Sequence, residues 1–349
     1  MNIFLSHHTA LQLIRRSRLL SRNLHGWKTS LDTTLIRMLQ EKSEKKKTSL
    51  VVPNDADMVS AKIFEDLGLF ESLHLNEPIH CICSIQNRSR TKRITCHGIK
   101  VSPRSFIRVT PHLLVARPEA VFVQMASYLS DIELVLLGYE LCGTYIGGSV
   151  GGNLIDQNLV DENSNSDGVM MSAYSLKPVM SVRSLTNYMS TLGRTTGIRK
   201  AQRAASNILD AAASLMEARL AMMLIAPSRS GGYGLPHPAL NHHIDVSRKS
   251  ASGKSVRICD YYWSDHRFAI EYDSLAFHNA KDNISRDAVR RNELLGKGIT
   301  VFSLTTKQLM NFELLNNQVR IVGKHLKHRF SFDLKTTNKR IALHKQLFY

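Results

Sequence analysis

Val256–Trp263 (VRICDYYW) and Arg267–Asp273 (RFAIEYD), joined by Ser264-Asp265-His266, decide the fold of the C-terminal half of this chain. Both runs are rich in aromatic and β-branched residues and are separated by turn-forming residues, which predicts a β-hairpin. A two-residue loop at the centre of the turn makes the numbers of paired residues sum to 531. Asp260 then lies directly opposite Glu271, with the two side chains about 5 Å apart on one face of the sheet.

Asp273 shares this face because side chains alternate along a strand with a period of two. Three carboxylates on one face repel one another unless a cation or open solvent compensates them. Hard divalent ions such as Mg²⁺ or Mn²⁺ prefer carboxylate oxygens. The pattern therefore predicts a metal held by Asp260 and Glu271, with Asp273 as a further ligand or as the residue that orients a water molecule. The alternatives are an exposed edge strand for the pair and a turn residue before Ser274 for Asp273.

The formal net charge of +17 is concentrated in three blocks. Residues 1–50 and residues 320–349 each have a formal net charge of +7. Residues 86–108 contain seven Lys/Arg and no acid. Basic blocks of this size favour a polyanionic partner, most often nucleic acid. The expected contacts are the loop residues Arg88, Arg90, Lys92 and Arg93. The alternative is a solvated basic surface.

The five cysteines are an odd number without the spacing of a disulfide framework, which predicts a reducing, cytoplasmic environment. Cys81-x-Cys83 followed by Cys96-His97 has the residue types of a zinc site. The same residues also read as alternation on a strand, in which cysteine acts as a small apolar side chain, and this second reading is preferred. No stretch of 18 apolar residues occurs, so we expect no membrane span.

From Ser214 onward the patterns predict the order helix, three strands, helix, strand, helix, with one acid on the second strand and one on the third. This order resembles the PD-(D/E)XK restriction-endonuclease-like superfamily. The spacing Arg257-x-x-Asp260-x-x-Trp263, then Ile270-Glu271-Tyr272-Asp273, His278 and Asp287-x-x-Arg290-Arg291, resembles the group related to very-short-patch-repair endonucleases. The N-terminal half is similar to that of bacterial proteins carrying this nuclease module, some of which stand beside abortive-infection (AbiEi-type) regulators.

The resemblance implies a Mg²⁺- or Mn²⁺-dependent deoxyribonuclease in which Asp260, Glu271, Asp273 and His278 form the catalytic set. His278 would act as general base or contact phosphate, and Arg290 would reach phosphate. Glu217, on the first helix of the module, would be a further metal ligand. Its alternative role is a capping box, with Glu217 accepting the Ser214 amide.

The chain departs from the family pattern at two positions. The lysine of the acid-x-Lys motif is absent, since Asp273 stands there, and the usual glycine after it is Ser274. The departures leave room for a second interpretation: a nuclease-fold DNA-binding regulator or AbiEi-type antitoxin that does not cleave.

The predicted organisation has three parts. Residues 1–205 form an α+β region that binds nucleic acid or a partner, and residues 206–330 form the α/β restriction-endonuclease-like core (αβββαβα). Residues 331–349 form a basic C-terminal tail. The expected partner is DNA, with a protein partner or a second copy of the chain as the other candidates, and the expected setting is the bacterial cytoplasm.

Overall fold

A computed structural model describes residues 2–20, 75–84, 89–99, 103–147, 175–246, 256–273 and 281–349. The chain divides between Ile208 and Leu209 into two compact units. We call Met1–Ile208 unit 1 and Leu209–Tyr349 unit 2. Both units combine helices with a mixed β-sheet, so the protein is of the α+β type. The sequence had placed the boundary after residue 205.

Unit 1 is built on a six-stranded sheet whose strands lie in the order β3-β4-β2-β1-β6-β5. β1 pairs antiparallel with β2 and parallel with β6, while β2 pairs parallel with β4. β2 is buried along its whole length, as an interior strand should be. The strands are β1 Ile3–Leu5, β2 Ile79–Cys83, β3 Ser89–Arg90, β4 Ile94–Gly98, β5 Phe106–Arg108 and β6 Leu113–Ala116.

The helices of unit 1 begin at residues that favour helix starts. Pro118 occupies the first turn of α2, and Ser130 and Ser181 form capping boxes at α3 and α4. α1 is buried on nearly all sides, including its arginines, of which Arg15 pairs with Glu140. The helices are α1 His7–Leu20, α2 Pro118–Met125, α3 Asp131–Cys142, α4 Val182–Ser190 and α5 Ile198–Ala205.

Unit 2 has a four-stranded sheet in the order β10-β9-β8-β7. β7, β8 and β9 form an antiparallel meander, and β10 runs parallel to β9. Helix α7 packs on this sheet through Leu294, which joins a buried cluster with Cys259 and Ala269. The elements are α6 Leu215–Ile225, β7 Ala239–Asp245, β8 Val256–Trp263, β9 Phe268–Asp273, α7 Lys281–Gly296, β10 Thr300–Thr305, α8 Thr306–Met310, α9 Phe312–His325 and α10 Leu334–Phe348.

The last element differs from the sequence prediction of a basic tail over residues 331–349. Asp333 caps helix α10 by accepting the Thr336 N–H at 2.9 Å. Arg340, only 1% exposed, lies over the Tyr233 ring at 4.7 Å. The helix therefore belongs to unit 2, because side chains on one of its faces are buried. The prediction of a tail rested on net charge, which does not show the helical spacing of these buried residues. Within the described ranges, no helix combines the length and the apolar character needed to cross a bilayer.

Candidate functional site

The β8–β9 hairpin has the register that the sequence predicts. Tyr261 pairs with Ile270, Tyr262 with Ala269 and Trp263 with Phe268. The loop differs from a two-residue turn, since Ser264–His266 form one turn of 3₁₀ helix and Arg267 adopts a left-handed conformation with φ 44°. The longer loop keeps the register, and continuing it one residue beyond the Tyr261–Ile270 pair sets Asp260 opposite Glu271 on the neighbouring strand.

The Asp260 carboxylate points toward the neighbouring strand. Its Oδ2 accepts the backbone N–H of Tyr272 at 2.8 Å. Burial raises the pKa of Asp260 to about 6. The Tyr272 N–H and Arg290 oppose this rise, whereas the negative charges of Glu217 and Asp273 add to it. Asp260 is thus a partly buried acid with other acids nearby, and a bound cation would stabilise its charge.

Glu271 is in a similar position, with a side chain that is 12% exposed. Its Oε1 lies 2.9 Å from Arg290 Nη2, but the geometry does not make a hydrogen bond and the oxygen is buried without one. Burial raises the pKa of Glu271 to about 7; Arg290 and Arg291 oppose the rise, and Asp260 and Asp273 add to it. One arginine therefore does not fully compensate this carboxylate.

Glu217 is held in place by three donors at the start of α6. Its Oε2 accepts the Ala213 N–H at 3.0 Å and the Asn241 side-chain amide at 2.7 Å, and its Oε1 accepts the Ser214 hydroxyl at 3.1 Å. The Ser214 Oγ accepts the Glu217 N–H at 3.1 Å. Ser214 is the N-cap, as the Ser-x-x-Glu spacing predicts, but the predicted capping box is wrong in one detail: the Glu217 carboxylate accepts the backbone N–H of Ala213, one residue before the cap.

Asn241 is a residue of this site that the sequence did not reveal. It lies on β7 between the pairs Leu240–Tyr261 and His242–Cys259, which places it opposite Asp260. It has a left-handed backbone with φ 47°, a conformation that asparagine tolerates better than most residues. Its side-chain amide links Glu217 to the Ala211 carbonyl at 3.0 Å. The only sequence signal is an asparagine inside a strand, which is too weak to use alone.

The remaining residues of the predicted site have separate outcomes. Asp273 ends β9, is half-buried, and is close enough to raise the pKa of both Asp260 and Glu271. Arg290 contacts Glu271 and donates to the Ile258 carbonyl. Arg291 donates to the Ser303 hydroxyl at 2.8 Å. His278, and the side chain of Asp287, lie outside the described residues.

Among the residues of unit 2 that the structure describes, the acids do not form a compact three-ligand group. Within the described part of the chain, the single group of three residues whose ligand atoms all lie within 4.8 Å of one another is His7, His80 and His97 in unit 1. A metal in unit 2 would therefore rest on the facing pair Asp260 and Glu271, with Glu217 and Asp273 acting on it through their charge.

The residues of the predicted basic loop of unit 1 differ in their exposure and in their contacts. Arg90 and Lys92 are exposed. Arg93 lies 2.9 Å from the Glu77 carboxylate in an ion pair in which both side chains are about two-fifths exposed. Arg88 lies outside the described residues. Arg90 and Lys92 are accordingly the members of this loop best placed to meet a phosphate.

A second basic surface of unit 1 was not recognised in the sequence. A concave region of about 530 Å³ lies at the start of α5. Lys200 is tied to Asp131 at 3.5 Å, while the arginines of this run face the concave region. The available signal was four cations and no acid within residues 194–203. The lining residues include Arg194, Arg199, Lys200 and Arg203.

Comparisons of this chain with protein-family models, with curated proteins and with solved structures found no match.

Proposed function

We propose that unit 2 is a metal-dependent endonuclease that hydrolyses phosphodiester bonds in DNA. The observation that carries the proposal is the facing pair Asp260 and Glu271, two partly buried carboxylates on neighbouring strands whose pKa values burial raises to about 6 and about 7. The αβββαβ order, with one acid on the second strand and one on the third, supports the same reading through the resemblance to restriction-endonuclease-like proteins. Strongly perturbed acids next to specific charges are typical of functional sites.

Mg²⁺ or Mn²⁺, the ion that the resemblance implies, fits the donor set of this pair. Glu271 Oε1 is a buried oxygen without a hydrogen bond. Asp260 uses Oδ2 for the Tyr272 N–H, and within the described residues its Oδ1 accepts no hydrogen bond. Asp260 and Glu271 would hold the ion, which would stabilise charge on the scissile phosphate and lower the pKa of the attacking water.

The other residues would position and balance this pair. The Tyr272 N–H fixes the direction of Asp260, and three donors fix Glu217 beside it. Arg290, close to Glu271, is suited to a phosphate oxygen because its planar group can donate two parallel hydrogen bonds. We assign Asp273 to the orientation of water and His278 to proton transfer, following the resemblance.

Unit 1 would supply nucleic-acid affinity in this proposal. Two surfaces offer positive charge to phosphates. One carries the exposed side chains of Arg90 and Lys92, and the other is the concave region lined by Arg194, Arg199 and Arg203. Contacts of this kind give affinity to phosphates without reading sequence.

A second function has one specific observation in its favour. Asp273 replaces the motif lysine, and the cation next to Glu271 is Arg290. A carboxylate with an internal cationic partner has less need of a metal, which is what a regulator or AbiEi-type antitoxin that binds DNA without cleaving it would retain. Both functions predict DNA binding, and they differ in cleavage.

Nicking of supercoiled plasmid by the full chain in Mg²⁺, in Mn²⁺ and in EDTA tests the proposal. We expect cleavage with either ion and none in EDTA. Asp260→Asn should abolish cleavage while DNA affinity stays the same or rises, because the variant removes negative charge near the phosphate. Asp265→Asn, on the exposed loop of the same hairpin, is the matched control and should cleave like the wild type.

Two results would contradict the proposal: cleavage by Asp260→Asn at the wild-type rate, or DNA binding without cleavage in either metal. The second result would establish the regulator function instead. A labelled RNA of the same sequence, run in parallel, identifies the preferred nucleic acid.

A further inference from the structure

A cluster of four histidines and one tyrosine lies in unit 1, whereas the residues of the candidate nuclease site belong to unit 2. Its central members are His7 at the start of α1, His80 on β2 and His97 on β4. One ring nitrogen from each of these three lies within 4.8 Å of the other two. His80 Nδ1 and His97 Nε2 are 2.9 Å apart. His8 and Tyr128 border the cluster, with their rings 5.4 Å apart.

The sheet explains why these distant residues meet. β2 lies between β1 and β4, in the order β4-β2-β1. The Ser6 N–H, just after β1, donates to the His80 carbonyl at 2.9 Å, and the His80 N–H donates to Thr9 Oγ at 2.8 Å. The His7 N–H donates to the Gln124 side chain at 2.9 Å. The start of α1 is thereby fastened beside β2, and its first side chain is directed at the two strand histidines.

We propose that His7, His80 and His97 form a binding site for one divalent transition-metal ion, Zn²⁺ being the occupant that three imidazoles fit best. Imidazole nitrogens suit zinc and its neighbours, while Mg²⁺ prefers oxygen. Zinc sites with three protein ligands keep a fourth position for water.

In two of the three rings, the nitrogen that would not bind the metal already has a hydrogen-bond partner, as in most histidine metal sites. His7 Nδ1 lies 2.9 Å from Ser6 Oγ, and His97 Nδ1 lies 3.2 Å from the Tyr128 hydroxyl. These contacts leave Nε2 of each ring for the metal. His7 and His80 are 4% and 8% exposed, so the site is shielded, while partly exposed His97 and Tyr128 give access from outside.

Burial within the cluster disfavours the protonated form of these rings. Burial lowers the pKa of His80 to about 3 and that of His97 to about 4, with neighbouring histidines adding to the effect. Burial also lowers the pKa of His7 well below its usual value, and His97 and His80 add to this.

The cysteines nearby belong to the other face of the sheet. Cys81 lies beside Cys96, and Ile82 lies beside His97, in the parallel pairing of β2 and β4. Because side chains alternate along a strand, the cysteines point away from the histidines. The Cys-x-Cys and Cys-His spacing therefore does not make one site, and the metal ligands are histidines only.

Metal analysis of the full chain, with any affinity tag removed, tests the site. After EDTA treatment and exposure to Zn²⁺ followed by desalting, we expect one equivalent of zinc per chain and a higher melting temperature. The double variant H80Q/H97Q should lose the zinc and the rise in melting temperature. H112Q, at an exposed histidine of the same unit, is the control and should retain both.

X-ray absorption of the zinc-loaded wild type keeps the proposal falsifiable if the double variant does not fold. We expect nitrogen scatterers at about 2.0–2.1 Å with the outer-shell pattern of imidazole, and no sulfur at about 2.3 Å. Sulfur scattering, retention of zinc by a folded H80Q/H97Q, or less than about one-tenth of an equivalent in the wild type would overturn the proposal. The nuclease proposal would survive any of these results, because its residues lie in unit 2.

Insertion of the ion requires only a small movement of the rings. Two nitrogens bound tetrahedrally at 2.0–2.1 Å lie about 3.3 Å apart. His80 Nδ1 and His97 Nε2 must separate from 2.9 Å to that distance, a shift that side-chain rotation can supply. The His7 ring, stacked on His97 with centroids 3.8 Å apart, must tilt to direct its nitrogen at the ion.

Discussion

Glu217 and Asp260 are both acids near the same strands, but their surroundings give them different chemistry. Glu217 accepts three hydrogen bonds, which hold its charge without a metal. Asp260 accepts one backbone N–H and is partly buried near other acids, so its pKa is raised. At the level of single residues, Glu217 is therefore a positioning residue, and Asp260 and Glu271 are the metal ligands of the proposed nuclease.

Glu217→Gln separates these roles. A glutamine can still accept from Ala213 and Asn241 and donate to Ser214, so we expect a melting temperature near that of the wild type. Ser214→Ala removes the helix cap and should cost about 1 kcal/mol of stability. If the Glu217 charge tunes Asp260, Glu217→Gln should also lower the nicking rate, most strongly at low Mg²⁺. An unchanged nicking rate would limit Glu217 to the cap.

A glycine in unit 2 offers a test of the local packing. A Cβ at Gly232 would lie 1.9 Å from the Ala226 carbonyl oxygen, which accepts the Gly234 N–H at 2.9 Å and cannot move freely. We expect Gly232→Ala to destabilise unit 2 by about 1–3 kcal/mol, the usual cost of overpacking. At Gly296 a Cβ would meet nothing within 4 Å, so Gly296→Ala should be neutral or stabilising in the same thermal melt.

At the level of elements, α1 and α3 are joined by a buried ion pair. Arg15 Nε and Nη2 each donate to the Glu140 carboxylate at 2.7 Å, and the two side chains are 2% and 1% exposed. Arg18, one turn along α1, donates to the Gly143 carbonyl at 2.8 Å near the end of α3. Some arginines of the first basic block, residues 1–50, are therefore buried. The net charge of the block is larger than the charge that is accessible to a nucleic acid.

Breaking this pair from one side should be costly. Arg15→Met leaves the Glu140 charge buried without its partner, which typically costs about 3–5 kcal/mol. The double variant Arg15→Met with Glu140→Met removes both charges and should recover much of that loss. Thermal unfolding of the two variants measures the difference. A double variant as unstable as Arg15→Met would show that packing around the helix, not charge, sets the cost.

For the whole molecule, the distribution of positive charge sets the expected salt dependence of DNA binding. Arg90 and Lys92 are exposed, whereas Arg93 already has Glu77 as a partner. Neutralising Arg90 and Lys92 together should lower the salt slope by about 1.8, or about 0.9 for each phosphate contact. Arg93→Ala should change it less. Binding isotherms at several salt concentrations give the slopes, and an unchanged slope in the double variant would assign this loop to solvent or to a protein partner.

The second basic surface allows a comparison within unit 1. Neutralising Arg194, Arg199 and Arg203 should lower the salt slope more than the loop variant does if DNA follows the concave surface at α5. The opposite ranking would place the DNA at the β3–β4 loop.

The sequence by itself determined the β8–β9 register and the order of elements from α6 to β10 in unit 2. These follow from local rules: strand alternation has a fixed period, turns have characteristic residues, and Ser214 caps a helix through a neighbour three residues away. The three-strand meander, the helix and the parallel strand follow one another along the chain, so local sequence patterns are enough to predict them.

Only the tertiary structure decided what surrounds the charged and titratable side chains. It brought His7, His80 and His97 together and joined Asn241 to Glu217 by a hydrogen bond. It also packed α10 against the rest of unit 2 through Arg340 and Tyr233. These contacts join residues far apart in the chain, whose meeting depends on strand order and helix packing and leaves no periodic signal in the sequence. The same packing decides burial, and burial, more than residue type, raises the pKa of Glu271 and lowers the pKa of His80.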